Sequence, residues 1–151
     1  MATTLKQGDP APPFTAKDQN GINVSLQDFR GKKLVLYFYP ADDTPTCTEQ
    51  ACNLRDNFSA LKAQGYEIVG VSPDDVESHS KFKNKYQLPF TLLSDPDRKI
   101  IDAYGVWGPK QMFGNKYDGL HRTTFVIDAE GVIEKIVQRP RSKVHAAEIL
   151  K

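Results

Sequence analysis

Two side chains in this 151-residue chain, Cys47 and Cys52, combine nucleophilic and redox chemistry, and they are its only cysteines. A disulfide-stapled secreted domain would carry more cysteines at wider spacing. A four-ligand zinc site needs more partners than this chain readily supplies. The three histidines, His79, His121 and His145, are scattered without ligand spacing, so no metal centre is expected. In a reducing compartment, a close cysteine pair of this kind points to catalysis.

The position of Cys47 sharpens that chemistry. A helix is expected to start near Pro45, a residue tolerated in a first turn, with Thr44 at the N-cap. It is expected to run to about residue 62, with Gly65 beyond its end. Cys47 then falls in the first turn, where unpaired N–H groups and the helix dipole favour an anion. Both effects raise the thiolate fraction of a cysteine. A thiolate attacks a peroxide oxygen and is left as a sulfenic acid. The opposing reading is an inert core cysteine, because Cys47, Ala51, Leu54, Phe58 and Leu61 form one inward helical stripe.

Cys52 lies on a different, polar stripe with Thr48, Arg55 and Ser59. Five residues along a helix amount to about 140° of rotation and about 7.5 Å of rise. The two Cα atoms would lie about 8.7 Å apart, beyond the roughly 7 Å limit for a disulfide. The thiols therefore bond only if the first turns unwind, and helix ends open at low cost. Two states are expected: a folded form that meets peroxide and a partly unwound form carrying a Cys47–Cys52 disulfide. The alternative for Cys52 is an incidental surface thiol.

These thiols need a scaffold. Residues 8–14 are Pro-rich and read as an extended arm, and residues 18–21 as a turn between two short strands, the second near 22–24. Residues 25–31 read as a short helical turn capped by Ser25. The run KLVLYFY at 33–39 fits a strand buried on both faces, as in a parallel sheet. Further strands are expected at 66–71 and 90–93, and a hairpin at 122–127 and 132–137. Helices are expected from the turn at 72–75 to about 86, from 95 to before Gly105, and from a Ser142 cap to 150. The glycine-containing stretch 105–119 reads as a loop. Parallel crossovers followed by an antiparallel hairpin give an α/β thioredoxin-like fold, a mixed central sheet with helices on both faces and an N-terminal extension. Residues 1–151 read as one domain. Ligands in such sheets bind beyond the carboxyl ends of the strands, where both cysteines sit.

The surrounding residues carry a resemblance. Pro40-x-x-x-Thr44-x-x-Cys47 resembles the active-site motif of peroxiredoxins, and the stretch from Tyr37 to Asp56 looks like their Q subfamily, also called bacterioferritin comigratory protein. His121-Arg-Thr-Thr-Phe-Val-Ile-Asp128 is similar to that family's second block. The resemblance covers almost the whole chain. It implies a thiol peroxidase for hydrogen peroxide and organic hydroperoxides, with Cys47 as the peroxidatic cysteine and Cys52 as the resolving one. It also implies that Thr44 offers its hydroxyl to the thiolate or a peroxide oxygen. Arg122 would stabilise charge moving onto the leaving oxygen, and Pro40 would shield the site from water. Thioredoxin or glutaredoxin would reduce the disulfide, no metal, flavin or nicotinamide would be needed, and a monomer is expected. Read without the family, Arg122 is a snorkelling arginine at a strand edge and Thr44 a helix cap. Glu49 stays outside the catalytic set, and His79 reads as a packing histidine. Thr46 replaces the glycine that commonly precedes the peroxidatic cysteine, which bears on local backbone geometry.

Composition narrows the alternatives. The net charge is +1, with 26% charged and 39% hydrophobic residues, so nothing marks nucleic acid as a partner. The longest apolar run is too short to span a bilayer. The N-terminus lacks a signal-peptide core, so a cytoplasmic location is expected, though a removed organelle-targeting segment would leave no trace. A disulfide reductase or isomerase wants a CxxC pair, which this chain lacks. A redox sensor or holdase would use the same thiol without turnover, and a plain binding module would tolerate loss of both cysteines.

Overall fold

A computed structural model describes residues 3–112, 114–138 and 140–150. Its central element is β3 (Lys33–Phe38), whose side chains alternate between two cores. Leu34, Leu36 and Phe38 enter one hydrophobic cluster. Val35, Tyr37 and, just past the strand, Tyr39 enter the other, which also holds Cys47. Both faces of β3 are therefore covered, which is why its sequence is nearly all apolar.

The main sheet has seven strands in the order β2-β1-β5-β4-β3-β8-β9. These are β1 (Thr15–Lys17), β2 (Asn23–Ser25), β3, β4 (Tyr66–Ser72), β5 (Thr91–Ser94), β8 (Thr123–Ile127) and β9 (Ile133–Gln138). Strands β3, β4 and β5 run parallel, while β8 lies antiparallel to β3 and β9 to β8. Helices α1 (Pro45–Asp56), α2 (Phe58–Ala63), α3 (Val76–Tyr86) and α5 (His145–Leu150) place buried residues in the Cys47 core. Helix α4 (Lys99–Ala103) sends Ile100 and Ile101 into the opposite one. This is the mixed sheet with helices on both faces that the sequence pattern predicts.

Four local expectations are corrected, the briefest being that α4 starts at Lys99 and not at residue 95, because 96–97 form a turn and Arg98 takes left-handed backbone. The stretch 105–119 contains a hairpin, β6 (Trp107–Met112) paired with β7 (Asn115–Leu120) as a separate two-stranded sheet. Both strands of a two-stranded sheet are edge strands, so Pro109 and the glycines do not bar pairing there. The long helix is broken at Asn57, which has non-helical backbone angles. Its side chain donates to the Asn53 carbonyl at 2.8 Å and competes with the helical bond. Helix α5 begins at His145, not directly after Ser142. Residues 142 and 143 form a turn instead.

Two packing details bear on the cysteine face. Gly70 pairs with Tyr37 across β3 and β4, and a Cβ there would lie 2.9 Å from the Tyr37 ring and 3.0 Å from Leu92. Only glycine lets that ring lie against β4. His145 is fully buried. Its Nε2 lies 2.8 Å from Thr124 Oγ1 and its Nδ1 3.1 Å from Glu148. Burial pushes its pKa below the ordinary histidine value, and Glu148 offsets part of that.

Gly70→Ala is expected to lower stability by about 1–3 kcal/mol through overpacking, read from denaturant midpoints; no change would mean that the Tyr37 ring shifts freely. For His145 the sign follows from linkage. As pH falls below about 6.5 the unfolded chain takes up a proton that the folded chain still refuses, so stability drops. The drop continues until pH passes the lower folded value. His145→Gln is expected to flatten this acid-side slope, and equal slopes in the two proteins would show that His145 does not contribute.

Candidate active site around Cys47

The chain leaves β3 at its carboxyl end, turns through residues 40–44, and enters α1 with Pro45 at the first helical position. Cys47 is the third residue of that helix and is 1% exposed. The first bond of the helix runs from Thr48 N–H to the Thr44 carbonyl at 2.8 Å. Thr44 holds the N-cap position, but its side chain caps no N–H. Its hydroxyl donates instead to the Ala41 carbonyl at 3.1 Å. The N–H groups of Thr46 and Cys47 are therefore left uncapped by Thr44, as an anion site at a helix start requires. Thr46 takes ordinary helical backbone; among the described residues, those other than glycine with positive φ are Asp43, Gln87 and Arg98. No glycine conformation is demanded before Cys47.

Arg122 arrives from the entry to β8, the strand on the far side of β3 from β4. Residue Thr123 pairs with Phe38 and Thr124 with Tyr37. Arg122, two residues before Thr124, shares the face of the sheet that packs on α1. Its Nη2 donates to Cys47 Sγ at 2.9 Å, and its Nη1 to Gln50 Oε1 at 3.2 Å. A permanent cation is thus fixed on the sulfur, aimed where negative charge resides on a thiolate and on an oxygen leaving it.

Gln50 was not singled out from the sequence. It is 1% exposed, one turn after Cys47. A polar residue at i+3 from the cysteine, inside an apolar stripe, was the available signal. Tyr37 was missed as well. It is 1% exposed, and burial followed by the negative charge of Cys47 raises its pKa well above the ordinary phenol value. It therefore stays a neutral O–H. Tyr37 Oη and Gln50 Nε2 are the buried side-chain polar atoms without a hydrogen-bond partner among the described residues.

The loop that carries Pro40 and Thr44 is held from α3. Asp42 accepts from Tyr39 Oη at 2.6 Å, Ser78 Oγ at 2.7 Å and His79 Nδ1 at 2.7 Å. The His79 Nε2 lies 2.8 Å from the Leu93 carbonyl oxygen, so both ring nitrogens of this buried side chain have a polar neighbour. The Asp42 N–H donates to Asp74 at 2.7 Å, as does Ser72 Oγ. Asp42, Asp74 and His79 approach one another closely, but every contact is that of a hydrogen-bonded brace.

The remaining sequence-predicted residues flank this centre. Pro40 and Thr44 are half-buried in the loop. Cys52 is half-buried on α1, and both cysteines are free thiols. Glu49 is exposed, while Phe58 is only partly buried, at the edge of the inward stripe. His121 is half-buried, with Nε2 3.1 Å from the Pro109 carbonyl.

A buried cysteine at a helix start, bonded by an arginine at the carboxyl end of a thioredoxin-like sheet, defines a thiol redox centre. Residues 7–136 match the model of the AhpC/TSA family. The chain is 48% identical over 141 residues to peroxiredoxin Bcp of Escherichia coli strain K12, spanning 93% of this chain and 90% of that protein. Its structure is similar to peroxiredoxin Q of Xanthomonas campestris, with a TM-score of 0.88 and 31% identity over 98% of this chain and 94% of that one. A structure of the bacterioferritin comigratory protein of Xanthomonas campestris, described for its alkyl peroxide reduction activity, superposes with a TM-score of 0.87 and 31% identity over the same shares. The chain belongs to the AhpC/TSA family, in its Bcp or peroxiredoxin Q subfamily, and is a thiol peroxidase. No helix among the described residues is long and apolar enough to cross a membrane.

Gln50→Met keeps the volume and removes the amide that meets Arg122. Peroxide oxidation of Cys47 is expected to slow by roughly tenfold or more, the worth of a hydrogen bond to a charged group. Stopped-flow single-turnover kinetics would read it; a wild-type rate would show that Arg122 holds its place without Gln50.

Proposed function

We propose that Cys47 reduces hydrogen peroxide and organic hydroperoxides and that Cys52 resolves the product. The observation that carries the first half is the 2.9 Å bond from Arg122 to Cys47 Sγ. The thiolate attacks the distal peroxide oxygen, the O–O bond breaks, and the electron pair leaves on the other oxygen, which takes a proton as water or alcohol. Cys47 is left as a sulfenic acid. Arg122 follows the charge from sulfur to the departing oxygen. Thr44 lies at the helix cap, and rotation away from the Ala41 carbonyl would present its hydroxyl to a peroxide oxygen. Pro40 limits the access of water to the thiol. The unpartnered Tyr37 Oη and Gln50 Nε2 offer further donors at this face of the site. Alkyl peroxide reduction in the Xanthomonas relative supports including organic substrates.

In the second half, the Cys52 thiol attacks the sulfenic sulfur. An S–S bond forms, the S–O bond breaks, and the hydroxyl leaves with the thiol proton as water. The helical separation of the two residues requires α1 to open at its start. Thioredoxin or glutaredoxin then returns both thiols by disulfide exchange. The cycle needs no bound cofactor, because the thiols carry the electrons.

Intact-mass spectrometry after one equivalent of hydrogen peroxide tests both halves. Wild type is expected to lose two hydrogens. Cys52→Ser is expected to hold a trappable sulfenic acid on Cys47, and Cys47→Ser to consume no peroxide. Retained turnover in Cys47→Ser would overturn the mechanism, and unchanged recycling by a protein reductant in Cys52→Ser would remove Cys52 from it.

A further inference from the structure

The segment that must open is tied down at both ends, and both ties reach one residue. Upstream of Cys47, Asp43 sits in left-handed backbone, φ 58°, a conformation that Asp tolerates better than most residues. Its carboxylate accepts from Tyr86 Oη at 2.7 Å and from Lys85 Nζ at 2.7 Å. The Lys85 bond, with that of Tyr86, holds the Asp43 carboxyl below its ordinary pKa. Downstream of Cys52, Arg55 Nη1 donates to the Tyr86 carbonyl at 2.9 Å. Tyr86 is the last residue of α3, and Gln87 after it turns left-handed. Its carbonyl is one of those a helix end leaves without an internal partner, and a cation there is favourable. The Tyr86 ring is itself fixed edge-on to Phe82 at 5.5 Å.

Two further contacts mark the same limits. Asp42 is braced to Ser78 and His79 of α3. Asn53, directly after Cys52, donates to the Lys143 carbonyl at 2.9 Å and accepts from Ala146 N–H of α5 at 2.8 Å. None of these bonds lies within 44–52. Inside that segment, the side-chain hydrogen bonds that reach α1 from other elements, among the described residues, are those of Arg122 to Cys47 and Gln50.

We infer that Tyr86 is a positioning residue for disulfide formation, a clasp that keeps both ends of residues 44–52 in place while the helix between them unwinds. The inference rests on the reading of Cys52 as the resolving thiol. With Asn53 and Arg55 fixed, Cys52 stays near its place on α1. Cys47 is the partner that travels, leaving Arg122 as its sulfenic acid. The ends of the mobile segment stay close, which restricts the conformations open to the unwound residues and keeps Cys47 near Cys52. The reaction is the one already balanced: S–S forms, S–O breaks, and water leaves. A slack segment closes more slowly, and a second peroxide then has time to take Cys47 to the sulfinic acid.

The test compares wild type with Tyr86→Phe, with Tyr86→Phe/Lys85→Met and with Arg55→Gln. Tyr86→Phe keeps the ring and leaves Lys85 on Asp43, so it is expected to fall between wild type and the double variant. First oxidation of Cys47 by hydrogen peroxide is expected at the wild-type rate in all four. Disulfide formation is expected to be about threefold slower or more in the double variant and in Arg55→Gln. Their sulfinic acid, read as a gain of two oxygens by mass, should rise at the same peroxide dose. In wild type itself, hydrogen exchange of the oxidised form should lose protection over 44–52 and keep it over 53–63 and in α3. Disulfide formation as fast as wild type in the variants, or loss of protection through 53–63, would overturn the clasp. Absence of any Cys47–Cys52 disulfide in wild type would instead overturn the resolving role of Cys52, and the clasp with it.

Discussion

The contact between Arg122 and Cys47 organises this molecule. It joins residues 75 positions apart in the chain, one at the start of a helix and one at the entry to a strand. Neither element can place its residue alone. Helix α1 fixes the sulfur at a point where uncapped N–H groups converge, and the antiparallel pairing of β8 with β3 fixes the side of the sheet on which the arginine emerges. A slip of one residue in that pairing would turn Arg122 to the opposite core. Val35 pairs with Val126 in the core that holds Cys47, and Leu34 with Ile127 and Leu36 with Phe125 in the opposite one, which specifies the register. The sheet therefore acts as the ruler that brings the cation to the thiol.

Burial of the thiol then shapes its surroundings. A thiolate formed at 1% exposure would need a partner, and the guanidinium stands ready to supply it. The guanidinium needs its own support, and Gln50 gives it from one turn along the same helix. Tyr37 is kept as a neutral phenol by the same dry environment that makes the arginine contact strong. Buried donors left without partners cost stability, and among the described residues they are Tyr37 Oη and Gln50 Nε2, both on the reactive face. Such an arrangement favours a substrate oxygen over a purely structural role.

Much of this was legible in the sequence, and the exceptions have physical causes. The strand at 33–39, the helix start at Pro45 and the placement of Cys47 follow from local signals: apolar run, proline, and cap position. The mixed sheet follows from the order of those signals. Gln50 and the brace of Asp42 on His79 were not legible because their meaning is tertiary. A lone glutamine or histidine on a helix face says nothing of a partner tens of residues away. The hairpin at 107–120 was hidden by Gly and Pro, which normally argue against strands but are tolerated where both strands are edges. The break at Asn57 depends on one side-chain bond to the Asn53 carbonyl, which periodicity does not report.

The two halves of the proposed cycle ask opposite things of α1. Attack on peroxide needs the sulfur fixed against Arg122, within a site that holds its dipoles still. Resolution needs the same helix turns to come apart. A uniformly stable helix would serve the first and block the second, whereas a loose one would lose the arginine contact. The chain separates the two demands along the helix. The turns holding Cys47 take their side-chain hydrogen bonds from Arg122, to Cys47 and to Gln50. The turns beyond Cys52 are secured by bonds to α3 and α5 that no step of the chemistry touches. In that proposed cycle, oxidation changes the Arg122 contact at the helix start and leaves the bonds beyond Cys52 intact, so the opening falls on the first part of α1.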